Sequence, residues 1–386
     1  MSTRAAPKTA STILTALSVS VGAVMPVFLF GGLAVQIADE LDMRPSEIGL
    51  VSGIYFAAAG LTAIPAGRVV ERYGAPAVAR LAVALAAAAM LAVALLAREP
   101  LTLILIMLAA APANGLGQLA SNAILSDWAP GRHKGLLFGA KQASIPLCTM
   151  LAGLSVPAIA LTLGWRWAFG AAAVVALLAL LPTIGLGRIQ RPARNGNGRV
   201  LDRRLVIFAA AVFLSASSVT ALGPFLTTYA VHTGASESFA GINLTIGGLA
   251  GVIARTGFGA LADRRSGGEF GLIAAMLLGG AAGLATFLFG EPWLLPVGTA
   301  AGFALGWAWP GLINYGIAKR YPDTPAAATS ITQTGVFLGG AAGPIAFGLI
   351  VDHFGWTTGW TCSIIGLTLA AALILIGSRV RPAPAR

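Results

Sequence analysis

The sequence has little charge and almost no cysteine. Only 10% of its 386 residues are charged and 57% are hydrophobic, whereas soluble domains carry about 25% charged residues. A soluble protein of this length would lack the charge needed to cover its surface, so a soluble globular fold is excluded. The two cysteines, Cys148 and Cys362, lie in apolar segments, where a thiol packs as a small apolar group. They exclude a disulfide framework and a cysteine-based metal site.

Long apolar stretches are what the sequence does contain. They recur along the chain, and each approaches the roughly 20 residues that cross a bilayer as a helix. Lipid cannot satisfy backbone polar groups, so each stretch must be helical. The first is longer than the core of a signal peptide and is predicted to be retained. We predict twelve spans, near residues 12–37, 48–69, 77–97, 101–124, 136–162, 167–187, 205–230, 239–261, 270–290, 293–317, 326–350 and 357–378.

The basic residues follow these spans asymmetrically. If both termini are cytoplasmic, 20 of the 25 Lys and Arg residues lie on the cytoplasmic side, and only Arg44, Arg98 and Arg166 lie outside. Cytoplasmic loops of membrane proteins carry this excess of positive charge. We therefore attribute the net charge of +11 to topology and predict no nucleic-acid partner. The predicted location is the plasma (inner) membrane, with many spans and both termini in the cytoplasm.

The chain repeats itself with a constant offset of 192 residues. Ser46, Gly49 and Gly67 are matched by Ser238, Gly241 and Gly259. A polar segment with alternating Asn and Gly separates the two copies, as expected of a surface loop. We predict two six-helix halves, residues 1–187 and 205–386, joined by a cytoplasmic linker at 188–204. Such repeats are typical of transporters whose substrate site lies between the halves.

Within the repeat, a Gly is followed after three residues by an acid and a base, as Gly67, Glu71 and Arg72 in the first copy. This loop, between spans 2 and 3 and again between spans 8 and 9, resembles the signature of the major facilitator superfamily. The resemblance implies that these residues, and the acid that ends span 4, stabilise the outward-facing state at a cytoplasmic gate. The gating residues that it implies are Gly67, Glu71, Arg72, Asp127, Gly259, Asp263 and Arg264.

Two cations lie inside the predicted spans. Arg255 lies eight residues, about 12 Å, before Asp263 at the helix end and thus near the middle of a roughly 30 Å hydrocarbon core. Lys141 lies seven residues, about 10 Å, beyond Lys134 into span 5. No Asp or Glu lies inside any predicted span. Because an unpaired buried charge is costly, we interpret the cations as the receptor for an anionic ligand. Two alternatives remain open: that Arg255 donates to backbone carbonyls of span 4 or 5, and that Lys141 extends to the membrane surface.

Other polar side chains accompany the cations on spans expected to face a cavity, whereas spans 3, 6 and 9 have almost none. For any single Ser or Thr, a local backbone hydrogen bond remains the better explanation. The predicted substrate-binding residues are Arg255, Lys141, Asn314, Asn122, Gln118, Gln142, Gln333, Asn243 and Tyr315.

The spacing of Arg255, Gly259 and Asp263 resembles span 8 of the monocarboxylate transporters, in which an arginine meets the substrate carboxylate. That family usually has an aspartate where this chain has Gly251, so its proton relay cannot be transferred. The leading interpretation is a secondary transporter that moves a small organic anion by alternating access. A monocarboxylate is one candidate substrate, and proton coupling by symport is left open.

The alternative function is export of amphipathic compounds or drugs. No nucleophile, base or metal constellation lies in the spans, and no phosphate-binding loop of the Walker type is present. We therefore predict a non-enzymatic protein without cofactor or metal, acting as a monomer on a small molecule in the lipid bilayer.

Overall fold

A computed structural model describes residues 9–128, 134–183, 202–264, 267–322 and 324–380. Nine helices in these ranges are long and apolar enough to cross a bilayer, and Trp165–Leu178 is a shorter apolar helix. One of the nine, Ala327–Arg379, bends at Gly355, whose backbone is non-helical with φ 82°. It is therefore two spans. Together with an interrupted span 10, the described chain contains the twelve predicted spans, and the all-α fold is confirmed.

The first half contains spans 1 to 6. Span 1 is Thr9–Gly32 extended by Ala34–Leu41, span 2 is Pro45–Tyr73, span 3 is Ala75–Leu96 and span 4 is Pro100–Trp128. Span 5 comprises Lys134–Gln142, Ser144–Ser155, a π-helical turn at Val156–Ala160 and Leu161–Leu163. Span 6 is Trp165–Leu178, followed by a 3₁₀ turn at Leu181–Thr183.

The second half contains spans 7 to 12. Span 7 is Arg203–Thr220 with Leu222–His232, span 8 is Glu237–Arg264, and span 9 is Glu269–Ala285 with a 3₁₀ turn at Thr286–Phe289. The helix Pro325–Arg379 forms span 11 before Gly355 and span 12 after it.

Span 10 differs from its prediction as one continuous helix. It begins with a 3₁₀ turn at Pro292–Leu294 and the helix Leu295–Ala301, passes through a π-helical segment at Gly302–Gly306, and loses helical form at 307–309. Helix resumes at Pro310–Arg320. Proline lacks an N–H and restrains the residue before it, so a helix readily begins at Pro310 and the backbone before it departs from helical form.

The two ends of the bundle can be distinguished by the linker. At the linker end, Arg80 donates to the Thr183 carbonyl over 3.3 Å, and Arg204 donates to the Val380 carbonyl. The opposite end, called the distal end, contains the turns after spans 1, 3, 5, 7, 9 and 11. The charge distribution predicts that the linker end is cytoplasmic.

The halves meet through two pseudo-symmetric helix pairs. Gly49 of span 2 lies against the Pro344 carbonyl of span 11, and its repeat equivalent, Gly241 of span 8, lies against span 5. A Cβ on Gly241 would approach the Gly153 carbonyl to 2.7 Å. Only glycine permits such backbone contact, which small residues provide between membrane helices. The sequence repeat is thus reproduced in the packing.

Polar contacts between the halves close the distal end. Gln36 of span 1 donates to the Glu237 carboxylate of span 8 over 2.6 Å. The backbone N–H of Ser46, in the first turn of span 2, donates to the Asp352 carboxylate of span 11 over 3.1 Å. A carboxylate at a helix N-terminus is favoured by the unsatisfied N–H groups and the helix dipole. These contacts hold the two halves together at this end.

Candidate functional site

Arg255 lies where spans 5, 8 and 10 meet, and its side chain is only 5% exposed. Its Nη1 donates to the Gln142 carbonyl over 2.9 Å, and its Nη2 donates to the Trp307 carbonyl over 2.8 Å. Gln142 belongs to the first half and Trp307 to the second. No carboxylate of the described residues forms an ion pair with Arg255. The guanidinium therefore bridges the halves through neutral acceptors.

The local backbone explains why both carbonyls are available. In a helix, the Gln142 carbonyl would accept from the N–H of residue 146, but that residue is Pro146, which has none. Trp307 is the first residue of the non-helical break of span 10, which covers residues 307–309 and ends where Pro310 begins the next helix. Neither carbonyl has its regular helical partner, so both can accept from the guanidinium.

Lys141, the neighbour of Gln142, is 1% exposed. Its Nζ donates to the side-chain carbonyl of Gln118 and, over 3.4 Å, to that of Gln142. The Lys141 ammonium therefore does not extend to the membrane surface. The Gln118 backbone carbonyl accepts from Ser121, whose hydroxyl in turn accepts from Ser20 over 2.8 Å. The structure thus brings four predicted residues together: Arg255, Lys141, Gln118 and Gln142.

A narrow crevice between the halves adjoins this cluster. Its walls come from spans 1, 2, 7 and 10 and include Phe28, Phe56 and Trp307, and the space holds about one water molecule. The Trp307 ring lies 6.0 Å from Phe28, and the Arg255 Cζ lies 5.9 Å from the centre of the Trp307 ring. The Ser52 hydroxyl also lines the crevice, buried and without a hydrogen-bond partner among the described residues. The crevice therefore offers aromatic surface and one unused hydroxyl.

The remaining predicted substrate residues lie elsewhere. Asn243 donates to the Thr299 hydroxyl over 2.9 Å within the second half, and it is about 18 Å along span 8 from Arg255. The Tyr315 ring lies near the Lys319 ammonium towards the linker end. Half-buried positions on spans 4, 10 and 11 are occupied by Asn122, Asn314 and Gln333, which form no hydrogen bond with either cation in the described chain.

The two copies of the gating loop differ in packing. Gly259 of the second copy touches span 5, because a Cβ on Gly139 would lie 3.1 Å from the Gly259 Cα. A Cβ on Gly67 of the first copy would meet nothing within 4 Å. Glu71 and Arg72 are exposed, and the Arg72 guanidinium lies 5.4 Å from the Tyr73 ring centre. Outside the described part of the structure lie the side chains of Asp127, Asp263 and Arg264.

These features, twelve helices in two repeated halves around an interfacial crevice, agree with the comparison to known sequence families. The pattern of the Major Facilitator Superfamily matches residues 11–205 and again residues 208–386. This chain belongs to the Major Facilitator Superfamily. It is therefore a multi-pass membrane protein and a secondary transporter of a small molecule rather than an enzyme.

Solved structures of other facilitators share the fold. A mutant of the nucleoside transporter NupG superposes with a TM-score of 0.72 at 16% identity, covering 94% of this chain and 99% of that one. A bacterial homologue of the human lysosomal transporter Spinster, in an inward-facing and occupied conformation, gives the same TM-score and identity, with 99% and 100% coverage. No curated protein sequence matches this chain. At this identity the likeness concerns the fold alone.

Three residues that line the crevice of this facilitator were not among the predicted site residues: Phe28, Ser52 and Trp307. Two of the three are apolar aromatics, which in a membrane helix look the same whether they face lipid or a cavity. A usable signal existed only for Trp307, because the Trp309-Pro310 pair is typical of a helix boundary.

Proposed function

We propose that this facilitator moves a small organic anion and that Arg255 binds the substrate carboxylate. The observation that carries the proposal is a guanidinium that is buried between the halves and whose hydrogen-bond acceptors, among the described residues, are two uncharged carbonyls. A carboxylate adds the attraction between opposite charges, which is strong where water is excluded and which a neutral carbonyl lacks. The two parallel N–H donors of a guanidinium match the two oxygens of a carboxylate. The substrate carboxylate would therefore replace both carbonyls.

Replacing the carbonyls links binding to movement of the halves. In the structure, the bond from Arg255 to the Gln142 carbonyl joins span 8 to span 5 across the interface. A substrate carboxylate that takes over this donor removes the link, and its own contacts then decide which arrangement of the halves is favoured. A ligand shifts a conformational equilibrium only through such a difference in contacts between states.

Lys141 supplies a second positive charge to the same site. Its amide partner, Gln118, is neutral and can be exchanged for a charged oxygen of the substrate. We assign it to a second negative or polar group, so that its contribution is smaller for simple monocarboxylates. Coupling to protons by symport is part of the proposal.

The duplicated loop acids form the second element of the proposal. Glu71 and Asp263, with their neighbouring basic residues, hold the cytoplasmic gate in the outward-facing state. Neutralising one of them in Asp263→Asn should shift the population of states by roughly 1–3 kcal/mol, a typical coupling energy. Accessibility of single cysteines at the two ends of the bundle measures this shift, and unchanged accessibility in an inserted variant would remove the gating role.

The topology proposal follows from the basic residues. Both termini and the linker 188–204 lie in the cytoplasm, between halves 1–187 and 205–386, and the protein acts as a monomer in the plasma (inner) membrane. The linker itself lies mostly outside the described residues.

Transport in proteoliposomes tests the anion proposal. The wild type should take up labelled organic monocarboxylates, and Arg255→Lys should not, because an ammonium lacks the planar pair of donors. Arg98→Lys, an exposed exchange at the distal end, is the matched control and should transport normally. Retention of full anion transport by Arg255→Lys would contradict the proposal.

The aromatic crevice gives the amphipathic exporter its own support. Phe28, Phe56 and Trp307 would suit a large apolar or cationic compound as well as the body of an organic acid. The same proteoliposomes should therefore be offered organic cations and nucleosides, the latter because one structural relative is a nucleoside transporter. Uptake of cations that survives Arg255→Lys would favour the exporter.

A further inference from the structure

A second pocket lies at the linker end of the second half, away from the crevice. It has a volume of about 440 Å³ and is formed by the start of span 9, the end of span 10 and the end of span 12. Residues 267–271, Gly316, Lys319, Arg320 and Ser378 line it. None of these residues belongs to the substrate site or the gate described above.

Two cations of span 10 face this pocket. The Arg320 guanidinium stacks on the Phe270 ring, with its Cζ 4.9 Å from the ring centre. Its one hydrogen bond to the described chain is a long contact of 3.4 Å with the Ser378 carbonyl. An arginine has five N–H donors, so most of its donors are available. The Lys319 side chain is 45% exposed and pairs with Glu269 over 3.0 Å, which holds the ammonium at the pocket.

The surroundings add positive charge to the pocket. Gly268 precedes span 9 with φ 84° and provides no side-chain cap. A Cβ on Gly267, Gly268 or Gly271 would meet nothing within 4 Å, so the backbone lies open. The span 9 N-terminus therefore contributes its partial positive charge to that of the two cations. The Glu269 carboxylate pairs with Lys319 and offsets part of this positive charge.

The position in the membrane indicates the kind of anion. Ile376, two residues before Ser378 on span 12, is 51% exposed, and this part of the span is apolar. Basic residues therefore lie immediately beyond surface that contacts hydrocarbon. Basic pockets between membrane helices on the cytoplasmic side bind lipid phosphates, and Lys and Arg are both suited to phosphate.

We propose that this pocket binds a phosphate group, supplied by the headgroup of an anionic phospholipid. Lys319 and Arg320 contact the phosphate oxygens, and the acyl chains lie along spans 9 and 12. The lipid bridges spans 9, 10 and 12 and fixes the linker end of the second half. Free phosphate presents the same chemistry without the acyl chains, so the two sources can be separated.

The test uses the full-length protein in nanodiscs of phosphatidylcholine, with or without phosphatidylglycerol, and in phosphatidylcholine with inorganic phosphate. Phosphatidylglycerol should raise the apparent melting temperature of the wild type. The double variant Lys319→Gln, Arg320→Gln should lose this rise, with a roughly 30-fold weaker apparent affinity for the lipid in a titration. Arg320→Lys, which keeps the charge, should retain most of the effect.

Arg98→Gln provides the control, because it removes an exposed positive charge at the distal end. It should respond to phosphatidylglycerol like the wild type. If the double variant responds to phosphatidylglycerol as strongly as the wild type, the site is overturned. It is also overturned if Arg98→Gln loses as much of the response as the double variant, because the effect would then come from general surface charge. If inorganic phosphate alone reproduces the full effect, the phospholipid is overturned as the source. No transport measurement enters, so the result is independent of the proposed substrate.

Discussion

Replacing Pro146 by alanine should increase the affinity of the transporter for its anion. Alanine restores an N–H that can donate to the Gln142 carbonyl, which in the wild type accepts from Arg255. When the substrate takes the guanidinium, the wild-type carbonyl loses its donor. In Pro146→Ala the carbonyl stays bonded to the helix, so the bound state no longer includes an unsatisfied acceptor.

The size of the effect follows from one hydrogen bond. A net contribution of about 1 kcal/mol corresponds to roughly fivefold tighter binding. Stability should change little, because Pro146 is the third residue of the helix Ser144–Ser155 and proline is tolerated in the first turn of a helix. Packing changes little, since alanine also has a Cβ, the atom of residue 146 that lies nearest to Gly251 of span 8.

Isothermal titration of the purified protein with a transported anion measures this affinity, and thermal unfolding measures the stability. Pro65→Ala is the control, because it likewise removes a proline from a membrane span, here from inside the helix of span 2. The control should gain stability without a change in affinity. If Pro146→Ala binds the anion no more tightly than Pro65→Ala, the reasoning that substrate displaces the Gln142 carbonyl is refuted.

Three further experiments test separate parts of the structure. Lys141→Met should leave the protein at least as stable as the wild type in unfolding assays, because it removes a buried charge whose partners in the described chain are amides. It should also weaken anion binding less than Arg255→Ala does. Strong destabilisation would instead give Lys141 a structural role. Asp352→Ala should destabilise the state that is closed at the distal end by about 1 kcal/mol, and a cysteine placed in the crevice should then be labelled faster from the distal side. Unchanged labelling would show that the contact with Ser46 is not a gate. In a Cys362→Ser background, cysteines at Asn197 and Ser236 should label from opposite sides of the membrane, the first from the cytoplasm, and labelling from one side would contradict the topology.

The fold was predictable because the bilayer leaves few choices. Apolar length dictates helices, and the repeat at offset 192 predicted two equivalent halves; Gly49 and Gly241, which match in the repeat, both contact the opposite half. The interruption of span 10 was missed because residues 302–309 are apolar throughout. Hydropathy averaged over a window of that length does not detect a local break in the helix. Pro310 indicated the break, but proline also occurs inside intact helices of this chain, at Pro26 and Pro112.

The site was predictable in its charges and less so in its partners. Burial of Arg255 and Lys141 followed from their depth in the spans, as did the absence of nearby carboxylates. Backbone carbonyls as partners of Arg255 were an open alternative, and the structure contains them. The Gln142 carbonyl lies on span 5, one of the two spans named in that alternative, whereas the Trp307 carbonyl lies on span 10, which was not named. Asn243 was predicted for the cavity on polarity alone, although a polar side chain is equally satisfied by a neighbouring helix, here through Thr299.

The central claim is that Arg255 makes this facilitator a carrier of anions. The most direct test is a thermal-shift screen of the wild type and Arg255→Ala against matched organic anions, cations and neutral compounds, since only a ligand that binds the folded protein raises its apparent stability. The account predicts that a subset of carboxylates stabilises the wild type and that none stabilises Arg255→Ala, whose own melting temperature stays close to that of the wild type. Stabilisation by cations alone, or by the same carboxylates in Arg255→Ala, would contradict it.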